Sequence, residues 1–382
     1  MASNEEQILP YLREHESEML ADLKALVEKD SPSASKELAE QCADVLEDIL
    51  RRRVGSLGTI TAYPNEKYGR NILFRNANVH ENKIAISGHY DTVWDKGTIA
   101  PLHFDGRRLY GPGVLDMKSG DIYIIWAFKA LHDLGIELKT QFDACFTSDE
   151  EVSGPLSRPL MKELFKGYKA ALVLEPGEEK MGRIATRAPG LLRYIVEIHG
   201  KAAHSGAAHK SGVNAIWEMA RQIDRLQSMT DYSRALTFSV GVCSGGKKIN
   251  IVPDYARFEI DTRFLYSEDG VKVHETLTNL KSAIPGTTIS ATEIAHLEPV
   301  EKTPENNALY QKLREAGDAV GYKIDEFTWG ACSDANYFAR LGMPVLCSLG
   351  CCGDGIHQKH EHIDLDEFVP RLAVFASLLT RL

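Results

Sequence analysis

The sequence predicts an α/β protein with a mostly parallel sheet and helices on both faces, interrupted by an inserted α+β domain with an open sheet. From about residue 70, short apolar runs alternate with helix-length stretches, which is typical of parallel strands joined by helices. The middle of the chain alternates apolar and polar residues instead, and the first texture returns after about residue 298. We therefore predict a discontinuous domain over residues 1–184 and 298–382, with the insertion at 185–297.

The elements of the discontinuous domain follow from the period of the apolar residues. Roughly the first thirty residues repeat apolar side chains at helical spacing. Three apolar runs bounded by Gly, Asp or Thr predict buried strands. The expected later elements are strands at Lys83–Ser87, Phe142–Thr147 and Ala170–Leu174 and helices at Ser119–Leu134, Asn307–Val320 and Leu365–Leu379.

The elements of the insertion show a different pattern. Leu192–Ile198 and Tyr255–Arg263 alternate apolar and polar residues, as strands with one wet face do. Helical stretches near Asn214–Leu226 and Val271–Lys281 separate them. Two strands, a helix and further strands in about 110 residues indicate a small α+β domain.

Composition and charge exclude several classes of protein. The 382 residues are too many for one compact core, and 44 Lys+Arg against 54 Asp+Glu give a net charge of −10. This acidic balance argues against a nucleic-acid binder. No run of 18 or more apolar residues predicts a membrane span, and the start of the chain lacks the features of a signal peptide. The seven cysteines form no disulfide framework, so we expect a cytoplasmic protein.

Side chains that can bind metal follow several of the predicted elements. The carboxyl ends of parallel strands meet at one edge of a sheet, where such side chains would gather. Each has an ordinary explanation alone: Asp116 suits a helix cap, and Asp149–Glu151 suits a solvated acidic turn. Imidazole and carboxylate ligands without cysteine favour a catalytic Zn²⁺ site. The candidates in chain order are His89, Asp91, Asp116, Glu150, Glu151, Glu175 and His357.

Together these segments resemble the aminoacylase, acetylornithine deacetylase and glutamate carboxypeptidase family of co-catalytic zinc hydrolases. The resemblance extends from about residue 80 to the end and includes Gly200–Gly206, Asn250–Pro253 and Asp261–Arg263. The tract Gly88–Gly120 is most similar to the glutamate-carboxypeptidase branch. The resemblance implies a homodimeric hydrolase that cleaves an amide bond next to a free carboxylate, in N-acyl amino acids or short peptides. An N-acyl-amino-acid deacylase or a dipeptidase of the same family is the alternative.

The resemblance also implies two Zn²⁺ ions per subunit, with Co²⁺ or Mn²⁺ as alternatives. Asp116 would bridge the two ions. His89 and Glu175 would complete one site, and Glu151 and His357 the other.

The same resemblance makes Glu150 the general base and gives Asp91 the role of orienting His89. Adjacent side chains at a strand end point in opposite directions, which would let Glu151 bind metal while Glu150 faces the water. His360 remains an alternative to His357 as the ligand, because the two lie close together in the chain.

The insertion supplies further candidates through the resemblance. His204 would contact the developing oxyanion across a dimer interface, acting in trans. Asn250 and Arg263 would bind the terminal carboxylate of the substrate, a role that suits the planar guanidinium group. Arg183 is a weaker candidate for the same role, and a structural salt bridge to Asp261 is the alternative for Arg263.

Other functions fit the sequence less well. Gly111–Gly113 resembles the start of a nucleotide-binding loop, but Pro112 lacks a backbone donor and Asp116 would repel a pyrophosphate. A thiol hydrolase built on Cys332, Cys351 or Cys352 would need a His–Asn partner pattern, and no such pattern accompanies these cysteines. An inactive metal-binding protein would be favoured by loss of a ligand or of the base, and none is missing.

Two loops depart from the family pattern. Trp329–Ala335 stands where many relatives have a run of glycines before Ser-Asp-Ala, and Leu349–Gly355 is also unusual. Both are expected to line the substrate pocket, so the sequence leaves the identity of the substrate open.

Overall fold

The chain divides into two compact units in the computed structural model, which describes residues 4–77, 80–178 and 182–382. The α/β unit comprises Met1–Thr186, Lys302–Thr328 and Ser333–Leu382. The inserted unit comprises Arg187–Glu301 and Trp329–Cys332. The predicted fold class is confirmed, whereas the limits 185–297 for the insertion stay a prediction. No sequence pattern indicated that Trp329–Cys332 groups with the inserted unit.

Each predicted helical stretch contains a helix. The predicted helix near Val271 starts earlier, at Ser267, where Glu268 and Asp269 occupy a first turn that favours negative charge. Within the described parts of the chain, no helix combines the length and apolarity needed to cross a bilayer. The α-helices are α1 Ile8–Glu14, α2 Glu16–Val27, α3 Lys36–Val54, α4 Ser119–Asp133, α5 Ser157–Leu164, α6 Ala215–Gln227, α7 Ser267–Thr278, α8 Pro304–Ala319, α9 Asp334–Arg340 and α10 Leu365–Leu379. Of these, α3, α5 and α9 were not predicted.

The strands include the three predicted parallel strands and several that the sequence pattern did not reveal. In chain order they are β1 Gly58–Tyr63, β2 Asn71–Asn76, β3 Lys83–His89, β4 His103–Asp105, β5 Arg108–Tyr110, β6 Gln141–Thr147, β7 Ala170–Val173, β8 Arg183–Arg187, β9 Gly190–His199, β10 Ala203–His204, β11 Thr237–Gly245, β12 Ile251–Val252, β13 Tyr255–Phe264, β14 Thr288–Leu297, β15 Asp325–Thr328, β16 Val345–Leu346, β17 Gly353–Asp354 and β18 His362–Asp364.

The central sheet of the α/β unit has the order β1-β2-β6-β3-β7-β16. Strand β3 lies between β6 and β7 and is parallel to both, and β16 is parallel to β7. Strands β1 and β2 are antiparallel additions at one edge. The register pairs His89 at the end of β3 with Thr147 at the end of β6, so these two strands finish at the same edge of the sheet.

The core of the α/β unit explains why its central helix forms. Helix α4 is apolar on almost every side, and a helix with that pattern must be buried. Ile122, Ile124 and Trp126 are fully buried in the core cluster, together with residues of α3 and α10. Burying α4 fixes the segment that follows Asp116.

The inserted unit is an open, antiparallel sheet of order β11-β13-β9-β14. Alternate residues of β9 are buried, and Tyr194, Val196 and Ile198 pack with α6 and α7 into a separate core. Asn214 caps α6 by accepting a hydrogen bond from Trp217 N at 2.9 Å. The alternation of the sequence therefore predicted the one covered face of this sheet.

Candidate metal centre

The predicted ligands come together at the carboxyl edge of the central sheet. His89 is the last residue of β3, Glu150 and Glu151 follow β6, and Glu175 follows β7. Asp116 lies in the segment Val114–Lys118 before α4, where its own backbone is non-helical (φ −113°, ψ 95°). Neighbouring parallel strands end side by side, so residues separated by many positions in the chain become neighbours here.

Asp116 lies between two imidazoles. Its Oδ1 is 3.3 Å from His89 Nε2, and its Oδ2 is 3.3 Å from His357 Nε2. His89 Nε2 is also 3.8 Å from Glu175 Oε1, and His357 Nε2 is 3.1 Å from Glu151 Oε2. A carboxylate with one oxygen towards each imidazole has the placement that a bridging ligand requires.

Glu150 lies inside the same cluster. Ligand atoms of His89, Glu150 and Glu175 are within 4.8 Å of one another, and so are those of His89, Asp116 and Glu151. Strand alternation was expected to turn the adjacent glutamates in opposite directions, and this expectation is wrong. Strand β6 ends at Thr147, and Glu150–Val152 form a 3₁₀ turn. The turn, and not strand alternation, sets the directions of the two side chains.

Asp91 supports both His89 and the 3₁₀ turn. His89 Nδ1 is 3.1 Å from the backbone carbonyl oxygen of Asp91 and 3.4 Å from Asp91 Oδ1. The carboxylate of Asp91 accepts hydrogen bonds from Glu150 N and Glu151 N, each at 3.3 Å. Ser33 Oγ donates to Asp91 Oδ2 at 2.6 Å. The backbone carbonyl of Asp91 therefore holds the imidazole, and its fully buried carboxylate holds the backbone of two neighbouring acids.

Glu361 is a supporting residue that sequence reasoning missed. Its side chain accepts hydrogen bonds from Trp94 Nε1 at 2.8 Å, Gly113 N at 3.2 Å, Leu115 N at 2.9 Å and Asp116 N at 3.1 Å. It is only 1% exposed. Glu361 thus holds the loop that presents Asp116, and its position four residues after His357 was the only signal in the sequence.

Arg158 and Asp334 were missed as well. The guanidinium of Arg158 donates to Glu150 Oε1 at 3.3 Å and to Asp334 Oδ1 at 3.1 Å. The two residues are separated by 176 positions, so no local pattern could have paired them.

Three glutamates of the centre resist ionisation in the absence of a cation. Burial raises the pKa of Glu150 from 4.5 to about 8, and the charge of Asp334 adds to the rise. Burial and the nearby Asp116 raise the pKa of Glu151 from 4.5 to about 7. Burial and Asp116 also hold the pKa of Glu175 well above 4.5. These acids repel one another in a poorly hydrated site, which a cation would relieve.

The charged form of the two histidines is favoured, in contrast to that of the glutamates. Hydrogen bonds to Asp116 and Glu151 raise the pKa of His357 from 6.5 to about 10. Burial opposes a charge on His89, yet hydrogen bonds to Asp116 and Asp91 raise its pKa well above 6.5. Burial would raise the pKa of Asp116, but hydrogen bonds from both histidines outweigh it and lower that pKa. The site therefore favours positive charge between its carboxylates.

The residues of the centre fit divalent metal ions. Two imidazoles and several carboxylates, without a thiolate, form a donor set that suits Zn²⁺. Asp116 Oδ1 is buried, and within the described ranges it has no hydrogen-bonding neighbour other than His89 Nε2, at the long distance of 3.3 Å. An anionic oxygen in that state gains a partner when a cation binds.

His357, rather than His360, lies at the cluster. His360 is exposed, and its carbonyl oxygen accepts a hydrogen bond from His362 Nδ1 at 2.9 Å. Arg183, the weaker candidate for the substrate carboxylate, pairs with Glu178 at 2.9 Å and is 37% exposed in its side chain.

In the inserted unit, His204 is exposed and has a defined tautomer. Its Nδ1 accepts hydrogen bonds from Gly206 N and Ala207 N, each at 3.1 Å. A neutral imidazole that accepts at Nδ1 carries its hydrogen on Nε2. Asn250 is also exposed, and its backbone carbonyl oxygen accepts a hydrogen bond from Ser205 N at 3.0 Å. This bond joins the two candidate loops.

Arg263 forms the salt bridge that was the alternative to substrate binding. Its Nε is 2.7 Å from Asp261 Oδ1, and its Nη2 is 3.2 Å from Asp261 Oδ2. Its Nη1 donates to Cys332 Sγ at 3.2 Å. Asp261 therefore holds one edge of the guanidinium and orients it, while the side chain stays 30% exposed.

Several known proteins are similar to this chain. Residues 85–381 match the family model described as Peptidase family M20/M25/M40. Carboxypeptidase G2 from Pseudomonas sp. (strain RS-16) is 30% identical over 305 residues, which are 78% of this chain and 73% of that protein. A putative succinyl-diaminopimelate desuccinylase from Mycobacterium tuberculosis (strain CDC 1551 / Oshkosh) is 29% identical over 329 residues, 83% of this chain and 86% of that protein. A solved Bacillus subtilis structure, described as a dinuclear metal binding peptidase from the M20 family, has a TM-score of 0.72 at 16% identity, over 97% of this chain and 98% of that one.

Proposed function

This chain belongs to peptidase family M20/M25/M40 and is a metallohydrolase acting on carbon–nitrogen bonds, and from that premise we propose a dinuclear zinc-dependent exopeptidase that cleaves an amide bond next to a free carboxylate. The observation that carries the proposal is the position of Asp116 between His89 and His357, with Glu151 and Glu175 on either side. Its substrates would be N-acyl amino acids or short peptides.

His89 and Glu175 would hold one ion, Glu151 and His357 the other, and Asp116 both. When bound, the ions supply Lewis acidity to the scissile carbonyl and make a water molecule more acidic. Zn²⁺ is the proposed metal, with Co²⁺ and Mn²⁺ as alternatives that the same ligands accept.

Glu150 would move the proton. Its carboxylate lies within the cluster, and its side chain is 11% exposed, so it can meet a water molecule inside the site. We assign to it the removal of one proton from the attacking water and the delivery of that proton to the leaving amine nitrogen. Asp91 would keep His89 in place during the cycle, through the contacts of its backbone carbonyl oxygen and its Oδ1 with His89 Nδ1.

His204 would stabilise the negative charge that develops on the carbonyl oxygen. Its Nε2–H is the free donor, because the backbone of Gly206 and Ala207 occupies Nδ1. We propose that it acts on the site of a second copy, and that Asn250 and Arg263 bind the substrate carboxylate.

This arrangement would need a homodimer, which we propose forms through the inserted unit. Strand β11 is the edge of its sheet, and most of its residues are exposed. Val242 on β11 is 55% exposed, and Ile249 and Trp217 are exposed apolar side chains of the same unit. An exposed edge with apolar neighbours is a ready site for pairing with a second copy.

Mixed dimers test whether His204 acts in trans. Glu150→Gln and His204→Ala homodimers should both be nearly inactive, since removal of one oxyanion donor costs about 10²–10³ in kcat. If the two variants are unfolded and refolded together, each mixed dimer has one site with both lesions and one with neither, so activity returns. Mixed dimers that mass spectrometry detects but that stay inactive would exclude the shared site.

The second candidate function is an N-acyl-amino-acid deacylase or a dipeptidase. It is favoured by the similarity to a putative desuccinylase, which by its name removes an acyl group. Metal analysis followed by a screen of N-acyl amino acids and dipeptides, with product identification, separates the candidates. Amides of the same substrates should react poorly, and equal rates for acids and amides would contradict the requirement for a free carboxylate. A cytoplasmic location is proposed with this function, supported by seven free thiols.

A further inference from the structure

We propose that Arg158 and Asp334 form a positioning pair that holds the carboxylate of Glu150 in its working orientation. The inference rests on the proposed role of Glu150 as the base, and it gives the site two residues outside the candidate ligand set.

The contacts that carry the inference are shielded from water. Arg158 Nη2 donates to Glu150 Oε1 at 3.3 Å, and Arg158 Nε donates to Asp334 Oδ1 at 3.1 Å. The exposed fractions of the three side chains are 9% for Arg158, 11% for Glu150 and 3% for Asp334. One guanidinium therefore joins two buried carboxyl groups, of which only Glu150 lies in the metal cluster.

Asp334 is itself anchored to the strand that carries His89. It is the first residue of α9, which Ser333 caps. Its Oδ2 accepts a hydrogen bond from Ser87 Oγ at 3.3 Å, and Ser87 precedes His89 by two positions on β3. Arg158 is thus anchored, through Asp334, to the strand that carries the candidate ligand His89.

The loop between Glu150 and Arg158 is shaped around the arginine stem. Gly154 has φ +57°, and a Cβ at that position would lie 2.6 Å from Arg158 Cγ. Buried Asp149 accepts hydrogen bonds from Leu156 N at 2.9 Å and Ser157 N at 3.1 Å, which fixes the start of α5. Arg158, the second residue of α5, consequently enters the site from a fixed backbone.

The chemistry explains why such a pair is useful. The terminal torsion of a glutamate is broad, so a carboxylate without a partner rotates freely. The contact to Oε1 limits that rotation and leaves Oε2 as the oxygen that we assign to proton transfer. Asp334 balances the charge of Arg158, so the arginine can orient Glu150 without placing a net positive charge beside it.

The first test compares Arg158→Met and Arg158→Lys with the wild type. Arg158→Met should lower kcat by about 10–10²-fold, the scale for misplacing a reacting group, with KM and metal content nearly unchanged. Arg158→Lys should be similarly impaired, because lysine keeps the charge but not the planar fork that reaches two carboxyl groups. Full activity of Arg158→Lys would overturn the positioning role.

A double-mutant cycle separates positioning from general stability. Since Arg158 acts through Glu150, Glu150→Gln/Arg158→Met should be no slower than Glu150→Gln alone. An additional loss of the size seen in the wild-type background would overturn the inference. Near-wild-type turnover of Glu150→Gln would instead refute the proposed function.

Arg53→Met is the matched control. Arg53 pairs with buried Asp22 at 2.8 Å, and this pair lies among α2 and α3, outside the centre. Its loss should lower the Tm and leave kcat per metal-loaded site unchanged. If Arg158→Met does not fold, Asp334→Asn takes its place: a lower kcat with intact metal supports the pair, and an unchanged kcat overturns it.

Discussion

Removal of the metal ions should make the stability of the α/β unit fall as the pH rises from about 5 to 8. The pKa of Glu150 is raised from 4.5 to about 8, chiefly by burial, and that of Glu151 to about 7. A raised pKa in the folded state means that stabilisation is complete below the unfolded value and is lost as the pH rises through the folded value. His357, with a pKa raised from 6.5 to about 10, continues the loss at higher pH.

The magnitude follows from the protons that folding retains. Between about pH 5 and 7, Glu150 is protonated in the folded state and ionised in the unfolded state, which gives a slope of about 1.4 kcal/mol per pH unit. Over this interval the single carboxyl group costs about 2–3 kcal/mol, a large part of a typical free energy of unfolding. Glu150→Gln removes that titration, so the metal-free variant should be more stable than the metal-free wild type at pH 7.

Urea unfolding of chelator-treated protein measures the effect. The chain has 4 tryptophans, and Trp217→Phe with Trp329→Phe leaves Trp94 and Trp126, both in the α/β unit, as the fluorescent reporters. Midpoints and slopes at pH 5, 6, 7 and 8 give the free energy of unfolding of that unit. Addition of Zn²⁺ should remove the decline, because the ion replaces the bound protons.

Glu14→Gln is the control, since Glu14 is exposed on α1 and should leave the pH profile of the wild type unchanged. A flat or rising stability between about pH 5 and 7 would refute the reasoning. The same slope for Glu150→Gln and the wild type would show that Glu150 does not hold the extra proton.

Four substitutions test the roles assigned to individual residues. Glu150→Gln should lower kcat by at least about 10²-fold with its metal intact, whereas Glu151→Gln should lose metal and activity together; equal metal content by mass spectrometry contradicts this assignment. Arg263→Ala should lower kcat/KM for carboxylate substrates by an amount that corresponds to a loss of roughly 2–5 kcal/mol in transition-state stabilisation, and far less for their amides. An equal loss for both kinds of substrate would indicate a structural salt bridge. Glu361→Gln should lower the free energy of unfolding, measured by calorimetry, by about 1–3 kcal/mol, because buried backbone donors lose a charged acceptor. It should also weaken metal binding in titrations, and unchanged values of both would refute the supporting role of Glu361.

The sequence predicted the helices and strands that are buried on nearly all sides. Helix α4 and strands β3, β6 and β7 are buried on nearly all sides, so their apolar runs identified them. The antiparallel strands β1 and β2 went unpredicted. Much of β1 is exposed, so its sequence gives no apolar run to recognise.

The site divides in the same way. His89 and Glu175 were recognisable because each polar group follows an apolar strand directly. Arg158 and Asp334 were not, since their pairing depends on packing between α5 and α9 and leaves no local pattern. The direction of Glu150 was argued from strand alternation, but a 3₁₀ turn sets it, because the strand ends three residues earlier.

The grip of Glu361 on the loop of Asp116 has a consequence for the order of synthesis. A ribosome delivers the chain from its N-terminus, so His89 and Asp116 emerge long before His357 and Glu361. Helix α10, which packs in the same core as α4, emerges later still. The α/β unit therefore cannot close around its metal centre until the final segment has been made, whereas nearly all of the inserted unit comes from one continuous stretch. With the proposed ligands, metal loading would accordingly be a late event in the life of the nascent chain, and ions supplied during early translation would find only scattered ligands.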